Sequence, residues 1–339
     1  MDVLGFDLVC LMKTDVLIVG DGIAGLSSAI TTRQKGLETV VLQPYSRPKD
    51  TFQVMLHPGV ESLFKMLGVD QEVSCLAHSR PDGYWQYSTD GGGFVLYGQD
   101  TEGTWLGYLL NLRDLEALLR AKALGLGAIF MKTAGPVHAP MEYGTVKGLE
   151  IAGKHWGGDL TIDASGGRGI LARDLCLKYL FGSPPLVATC ASKTSSNPVS
   201  HPVFRMKPDG WRFDICTGQG QHSTISMAIT AQKINPKHKS GWDVSWRYLP
   251  ECAGPGYALV GDSAFRLDPG SGSGVLRAIM MGIKAIELSD KPYGWRLYRQ
   301  WVSDWAHTDG AALASIYSEK PFNAAWPKSH RWSDVKLSF

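Results

Sequence analysis

Apolar and polar positions along the chain alternate with the spacing of strand, turn and helix. Val16, Leu17, Ile18 and Val19 form a continuous run rich in β-branched residues, the mark of a strand buried on both faces, and Leu26 to Ile30 opens a helix behind it. Residues 38–42 predict a second short strand. Pro58 starts a predicted helix whose inner face carries Leu63, Met66 and Leu67. Alternating aromatics over 84–96 predict strands broken by Gly91, Gly92 and Gly93, and Leu112, Leu115, Leu118 and Leu119 predict a helix over 112–126 with Arg113 at its start. Strands follow at 128–131, 147–151 and 160–164, then a helix over 170–180.

Residues 193–202 are rich in Ser, Asn and Pro and read as a connection. Beyond them, runs at 203–206, 211–216 and 224–230 are separated by Pro208-Asp209-Gly210 and Gly218-Gln219-Gly220, which predicts an antiparallel meander. The chain then returns to a strand at 257–260 and a helix at 275–288. Tyr298, Trp301, Val302 and Trp305 recur at helical spacing and read as core packing, and the stretch from Pro321 is irregular. The predicted fold class is α/β: a Rossmann-like dinucleotide-binding domain with an inserted antiparallel β-sheet that carries the substrate side. The nucleotide domain is discontinuous, over 13–75, 101–192 and 249–310. The sheet domain takes 76–100 and 193–248, and 311–339 is a C-terminal tail.

Composition narrows the class. The 339 residues are 44% hydrophobic and 19% charged, enough for a large core, and the net charge of +2 gives no sign of nucleic acid or an acidic membrane surface as partner. The six cysteines (Cys10, Cys75, Cys176, Cys190, Cys216, Cys252) form no C-x-x-C and have no His at metal-ligand spacing; they read as reduced core residues of a cytoplasmic protein, with no metal site. The apolar segment before Lys13 carries Asp2 and Asp7 and no basic residue, unlike a signal peptide, and Met12 is a candidate natural start. No apolar run reaches the length of a membrane span.

The chemistry gathers at glycines. Gly20, Gly22 and Gly25 follow the first strand as G-x-G-x-x-G: one glycine for the tight turn, one for backbone approach to a pyrophosphate, one for close helix–strand packing. The helix start presents free N–H groups and a partial positive charge to the phosphates. At the end of the second strand, where such folds place an Asp or Glu on the ribose, this chain has Gln43, with Arg47 beyond it as a phosphate or adenine contact. Asp163 to Arg168 forms a polar turn at a strand's carboxyl end, where open α/β sheets bind ligands; Asp163 itself reads as a turn-shaping residue. Late in the chain Gly261-Asp262 ends a strand, and 268–274 makes a second glycine-rich helix start that lacks the Lys of a P-loop.

Gly20/Gly22/Gly25, Arg113 within L-R-D-L, and Gly261-Asp262, in this order, resemble the FAD-dependent aromatic monooxygenases. The closer resemblance is to their tryptophan-halogenase-like branch, which includes flavoproteins that help form tryptophan-derived quinone cofactors in partner enzymes. It rests on Leu56-His57-Pro58-Gly59 with the following L-x-x-L-G, on G-T-W before Arg113, on Asp163-Ala164-Ser165-Gly166, on Asp209-Gly210-Trp211, and on G-D-S-A-F-R-L-D-P with G-x-G-V. The resemblance implies that Gly20, Gly22, Ile23, Ala24 and Gly25 cradle the FAD pyrophosphate and that Arg113 reaches the pyrophosphate or adenosine side. Asp262 would bind the ribityl chain, and Pro269, Gly272, Gly274 and Val275 would line the flavin ring, where the helix dipole stabilises charge on reduced flavin. The chain departs from the branch at Gln43, and at Trp211 to Cys216, where the halogenases' W-x-W-x-I-P loses its second Trp and its Pro. It has no match for their catalytic Lys: Lys65 is nearest and reads as a solvated charge.

What this implies is an FAD monooxygenase hydroxylating an electron-rich aromatic through a flavin hydroperoxide formed with O2. The substrate would lie between flavin and inserted sheet, near Trp211, Phe213 and His222. No nucleophile or metal is required, because the cofactor carries the chemistry, and without a substrate in view no residue is assigned as a general base. With no second G-x-G-x-x-G, the electrons would come from transiently bound NAD(P)H or a partner flavin reductase. Rival readings are a halogenase, a maturation flavoprotein acting on a peptidyl tryptophan of a partner protein, a plain dehydrogenase, and a non-catalytic flavin-binding scaffold.

Overall fold

A computed structural model describes residues 14–43, 53–194, 201–216, 220–229, 241–322 and 326. Arg47, Cys10, Met12 and most of the stretch after Pro321 lie outside the described residues. The labelled elements, in chain order, begin with β1 (Thr14–Val19), α1 (Ile23–Gln34), β2 (Thr39–Gln43), β3 (Gly83–Ser88), β4 (Gly91–Leu96), α2 (Leu112–Gly125) and β5 (Ile129–Lys132). There follow β6 (Gly148–Ile151), β7 (Lys154–Asp163), β8 (Leu186–Thr194), β9 (Val203–Lys207), β10 (Gly210–Cys216), β11 (Gln221–Ile229), β12 (Gly241–Asp243) and β13 (Tyr257–Leu259). Two long helices, α3 (Gly274–Ser289) and α4 (Gly294–Ser318), complete the set.

The nucleotide domain is a parallel sheet in the order β5-β2-β1-β7, with β13 beside the end of β7 and β6 folded back on its start as an antiparallel hairpin. Val16 to Val19 and Val40 to Leu42 are buried, as a strand covered on both faces requires. α1 packs closely on α3: a methyl group on Gly282 would stand 2.7 Å from the Ala24 carbonyl oxygen, and Ser28 Oγ donates to the Gly282 carbonyl at 3.4 Å.

The inserted sheet has seven strands, in the order β12-β8-β11-β10-β9-β3-β4. Strands β9, β10 and β11 pair antiparallel, as the meander predicts, with Trp211 opposite Met227 and Phe213 opposite both Phe204 and Ile225. One junction differs from an all-antiparallel sheet: β9 pairs with β3 in parallel, Val203 opposite Trp85. Gly91 to Gly93 open β4 instead of breaking it.

Three boundaries move. Residues 186–192, placed with the nucleotide domain, belong to β8 of the inserted sheet, so Lys193 and Thr194 are strand and not connection. The tail boundary at 311 falls inside α4, whose Tyr298 and Val302 are core. The helix expected over 170–180 spans only Ile170–Asp174, because Cys176 turns to φ +55° and Tyr179 is drawn away to donate its hydroxyl to the Ser263 carbonyl at 2.5 Å. The helix from Pro58 runs over Val60–Leu67 and ends at Gly68 (φ +66°); Leu63 and Leu67 face the core, but Met66, expected on the inner face, is exposed. Of the cysteines, Cys216 and Cys252 are core, but Cys75 and Cys176 are exposed. No helix among the described residues is long and apolar enough to cross a membrane.

Candidate functional site

At the carboxyl end of β1, Gly20 takes φ +106°, and a methyl group on it would lie 2.5 Å from the Ala164 carbonyl oxygen. One on Gly25 would lie 2.1 Å from the Gly20 carbonyl oxygen. Both glycines are thus demanded by the turn and by helix–strand packing. Gly22 is the N-cap of α1, with no side-chain cap and no acidic residue in the first turn. The N–H groups of Ile23, Ala24 and Gly25 are left for an anion.

Two further turns meet this one. Asp163, fully buried at the end of β7, accepts from the Ser165 and Leu171 N–H groups, each at 2.8 Å, which fixes the turn that Gly20 touches. Burial raises its pKa, partly opposed by those bonds. Gly261, after β13, sits against the start of α1, where an added methyl would be 2.9 Å from Ala24 Cβ. Asp262 beside it is exposed. Arg247, buried, clamps the two turns: its Nη2 donates to the Gly167 carbonyl at 2.8 Å and to the Asp262 carbonyl at 3.2 Å.

Gln43 ends β2 as expected and is tied to a carboxylate. Its Nε2 donates to Asp21 of the G-D-G turn, while Arg120 of α2 donates to Asp21 Oδ2 at 3.1 Å and to Gln43 Oε1 at 3.4 Å. The carboxylate missing from position 43 therefore stands next to it on another turn. Neither Asp21 nor Arg120 was singled out in sequence; their pairing with Gln43 crosses 22 and 77 residues. Arg113 occupies the first turn of α2, half-buried, with its N–H capped by Asn111 Oδ1 at 2.9 Å.

The second helix start is built by Asp268. Its carboxylate accepts from the Gly270 N–H at 2.8 Å and opens the turn Pro269–Ser271 that leads into α3. Gly272 takes φ +66°, and methyl groups on Gly272 and Gly274 would meet nothing within 4 Å, so the chain here faces open space. α3 has no side-chain cap and no acidic residue in its first turn. Val275 lies in that turn.

Over this loop lies the inner face of the inserted sheet. Trp211 is 3% exposed. Its indole packs on Gly270, where a methyl would be 2.7 Å away, and its Nε1 donates to Asp268 and to Tyr317 Oη. It is a strut between sheet and loop, and the expectation of an open substrate contact gives way to packing. From Trp211 an aromatic arc continues: Phe204 at 5.4 Å between ring centroids, Tyr84 at 6.5 Å, Tyr97 at 5.9 Å and His57 at 5.6 Å. Gly59 joins the far end to α3, since a methyl there would meet both Leu276 Cδ1 and His57 Nδ1. The arc begins and ends on the same glycine-rich helix start. Phe213 belongs to its inner face, half-buried against Met55 and Leu109. Burial raises the pKa of Tyr84 and Tyr97 and lowers that of His57.

His222 does not join them. It lies opposite Cys216, in step with Arg212 and Asp214 on the other face of the sheet, so the expected trio divides between two faces. Sequence reading missed His57, Tyr84 and Tyr97 as site residues, although His57 stood within a quoted motif. Lys65 is exposed and paired with Glu61 at 3.4 Å, as a solvated charge would be. No group among the described residues could hold a metal ion.

Residues 15–47 match the FAD binding domain family. Over 96% of this chain and 82% of the other, the structure superposes on a flavin-dependent halogenase from Xanthomonas campestris with a TM-score of 0.81 at 14% identity. The fold is that of the flavin-dependent halogenases. It is shared by a peptidyl tryptophan dihydroxylase essential for tryptophylquinone cofactor biogenesis, over 90% of this chain and 74% of that one (TM-score 0.67, 16% identity). In sequence, a digeranylgeranylglycerophospholipid reductase of Methanothrix thermoacetophila is 24% identical over 322 residues, covering 82% of this chain and 78% of that protein. The resemblance drawn from the motifs therefore holds at the level of the fold and of an FAD-binding segment. The residues present suit FAD: an uncapped helix start for a pyrophosphate, a second facing open space at Gly272 and Gly274, and the exposed Asp262 on the turn between the two helices.

Proposed function

We propose that the chain is an FAD-dependent oxidoreductase, and within that class a monooxygenase that hydroxylates an electron-rich aromatic group with O2. One observation carries the reading: the arc from Trp211 to His57 lies beside the helix start that suits a flavin ring, with Trp211 packed on the loop before α3 and Gly59, next to His57, set against Leu276 in the first turn of α3. Bound FAD would supply the redox chemistry. The protein's part is to bind, orient and exclude water. Ile23, Ala24 and Gly25 hold the pyrophosphate by their N–H groups; Asp262 accepts from the ribityl hydroxyls; the start of α3 holds negative charge on the ring. Tyr84, Tyr97, Phe204 and Phe213 offer ring faces and edges to an aromatic substrate, either a small molecule or a tryptophan side chain of a partner protein. NAD(P)H or a partner flavin reductase supplies the electrons.

The test is a single-turnover reaction in isotope-labelled O2, with chemically reduced FAD-loaded protein, an indole or phenol panel, and halide present or absent. Label in the product supports hydroxylation. A halogenated, unlabelled product replaces it with halogenation. Oxidised flavin with an unchanged substrate panel in every arm counts against both.

A further inference from the structure

We propose that the outer face of the seven-stranded sheet binds a nucleoside diphosphate, with its phosphates among Lys193, Arg205, Lys207 and Arg212 and its base on Trp85 and Tyr87. This face is turned away from the aromatic arc, because residues along a strand alternate sides. Arg205 stands opposite Arg212, Val203 opposite Asp214, and His222 opposite both Cys216 and Lys193. Lys193, Val203, Arg205, Lys207, Arg212, Asp214 and His222 line an open groove of about 350 Å³.

Charge in the groove is unbalanced. Asp214, its side chain 6% exposed, is the carboxylate at its floor. It accepts from Arg205 Nη1 at 2.5 Å, from Arg212 Nε at 2.9 Å and from Thr224 Oγ1 at 2.7 Å, with Arg212 Nη2 in ion-pair contact at 2.8 Å. Burial works to raise its pKa, but the bonds from Arg212 and Thr224 and the two guanidinium charges outweigh that and hold it below the usual carboxylate range. Asp214 is thereby taken up by the arginines. Among the described residues, Lys193 and Lys207 have no carboxylate within 4.0 Å. Four cations around one carboxylate leave the groove with a net positive charge, which favours a ligand bearing several negative charges. Arginine forks suit phosphate oxygens in particular.

The second observation is aromatic. Trp85 and Tyr87 remain 40% and 41% exposed and stack on each other at 6.2 Å, 16° from parallel. Arg205 lies opposite Tyr87 in the parallel pair β9·β3, with its Cζ 5.8 Å from the Tyr87 ring. The row Tyr87–Arg205–Arg212 crosses three adjacent strands, roughly 10 Å at about 4.8 Å per strand. That is the reach from a stacked base to the phosphates of a nucleoside diphosphate. Exposed rings beside cations stack bases with little regard to their identity.

The experiment titrates FAD-loaded full-length protein, freed of excess FAD, with ADP, inorganic pyrophosphate and adenosine by calorimetry, while flavin fluorescence reports any release of FAD. One ADP is expected to bind per chain, more tightly than pyrophosphate or adenosine, with no flavin released. The exposed double variant K193Q/K207Q should weaken ADP roughly tenfold or more, and Trp85→Ala a few-fold, with flavin absorbance unchanged in both. Absence of ADP binding, or binding untouched by K193Q/K207Q, overturns the site. ADP uptake matched by flavin release assigns the ligand to the cradle at α1 and also overturns it. Pyrophosphate binding as tightly as ADP overturns the base subsite.

Discussion

The indole nitrogen of Trp211 lies 3.1 Å from both carboxylate oxygens of Asp268, a contact between the inserted sheet and the loop that leads into α3. The same carboxylate takes the Tyr317 hydroxyl from α4 and the Gly270 N–H from its own turn. Sheet, loop and last helix thus share one buried acceptor. Trp211→Phe keeps an aromatic ring but removes the donor and part of the indole packed on Gly270, leaving Asp268 short of one partner. We expect a loss of about 1–3 kcal/mol in denaturant unfolding, as for other buried groups left unsatisfied, and weaker flavin retention. Unchanged stability would remove the strut role.

Two glycines of one motif should behave differently. Gly22 has φ −76°, open to any residue, whereas a methyl at Gly25 collides with the Gly20 carbonyl. Gly22→Ala is expected to lose FAD at nearly unchanged stability. Gly25→Ala is expected to lose FAD and about 1–3 kcal/mol of stability as well. Flavin content after gel filtration and thermal unfolding of the flavin-free proteins separate the two. Normal flavin in Gly22→Ala would count against the cradle.

The parallel sheet, both glycine-rich helix starts and the turn role of Asp163 were legible because each is written in a short contiguous stretch whose period or glycine spacing has one physical meaning. Pairings between distant segments were not. Nothing local to 84–96 says that β3 lies parallel to β9, more than a hundred residues away. Trp211, Phe213 and His222 are all aromatic residues of one predicted meander, yet the pairing of β10 with β11 puts His222 opposite Cys216 and so on the other face. A single-residue register, unreadable from composition, decides which of them can meet a ligand. Gln43 is the same case: its meaning depends on Asp21 and Arg120, which the fold brings to it.

Asp214 and Asp163 are buried carboxyls with opposite shifts. Asp214 is held low in the folded state. Its contribution is therefore present above the ordinary carboxyl pKa of about 3.9 and is lost as pH falls through the folded value. Asp163 is raised, so its contribution is complete below that ordinary value and is lost as pH rises through its folded pKa. Asp214→Asn should be most destabilising at neutral pH, with the deficit shrinking in acid; for Asp163→Asn the deficit relative to the parent should grow in acid. Denaturant unfolding across the acid range measures both, and parallel curves would contradict the assignment.

Gln43 offers a test of what its departure from the usual acid means. If it were a weakened version of that acid, Gln43→Glu would tighten FAD. In this structure a glutamate there would set a second carboxylate against Asp21, with Arg120 as the cation between them. Like charges at hydrogen-bonding distance disfavour each other. We expect Gln43→Glu to bind FAD more weakly than the parent and Asp21→Asn/Gln43→Glu to recover affinity, read by flavin fluorescence quenching. Tightening in the single variant would refute the shared-carboxylate arrangement.

Tyr97 should govern substrate and not cofactor. It touches His57 at one side and Tyr84 at the other, one step from the end of the arc opposite Trp211. No hydrogen bond or ring contact links it to α3; His57 and Gly59 make that connection. Tyr97→Ala removes an aromatic wall without reaching the helix start. The expected result is a KM for an aromatic substrate raised by roughly tenfold, about 1.4 kcal/mol, with flavin absorbance and FAD affinity unchanged. Tyr97→Phe keeps the ring face and should restore most of the lost affinity. A fall in kcat at constant KM, or loss of flavin, would place Tyr97 outside the substrate wall and shift that role to the Phe204 and Phe213 end of the arc.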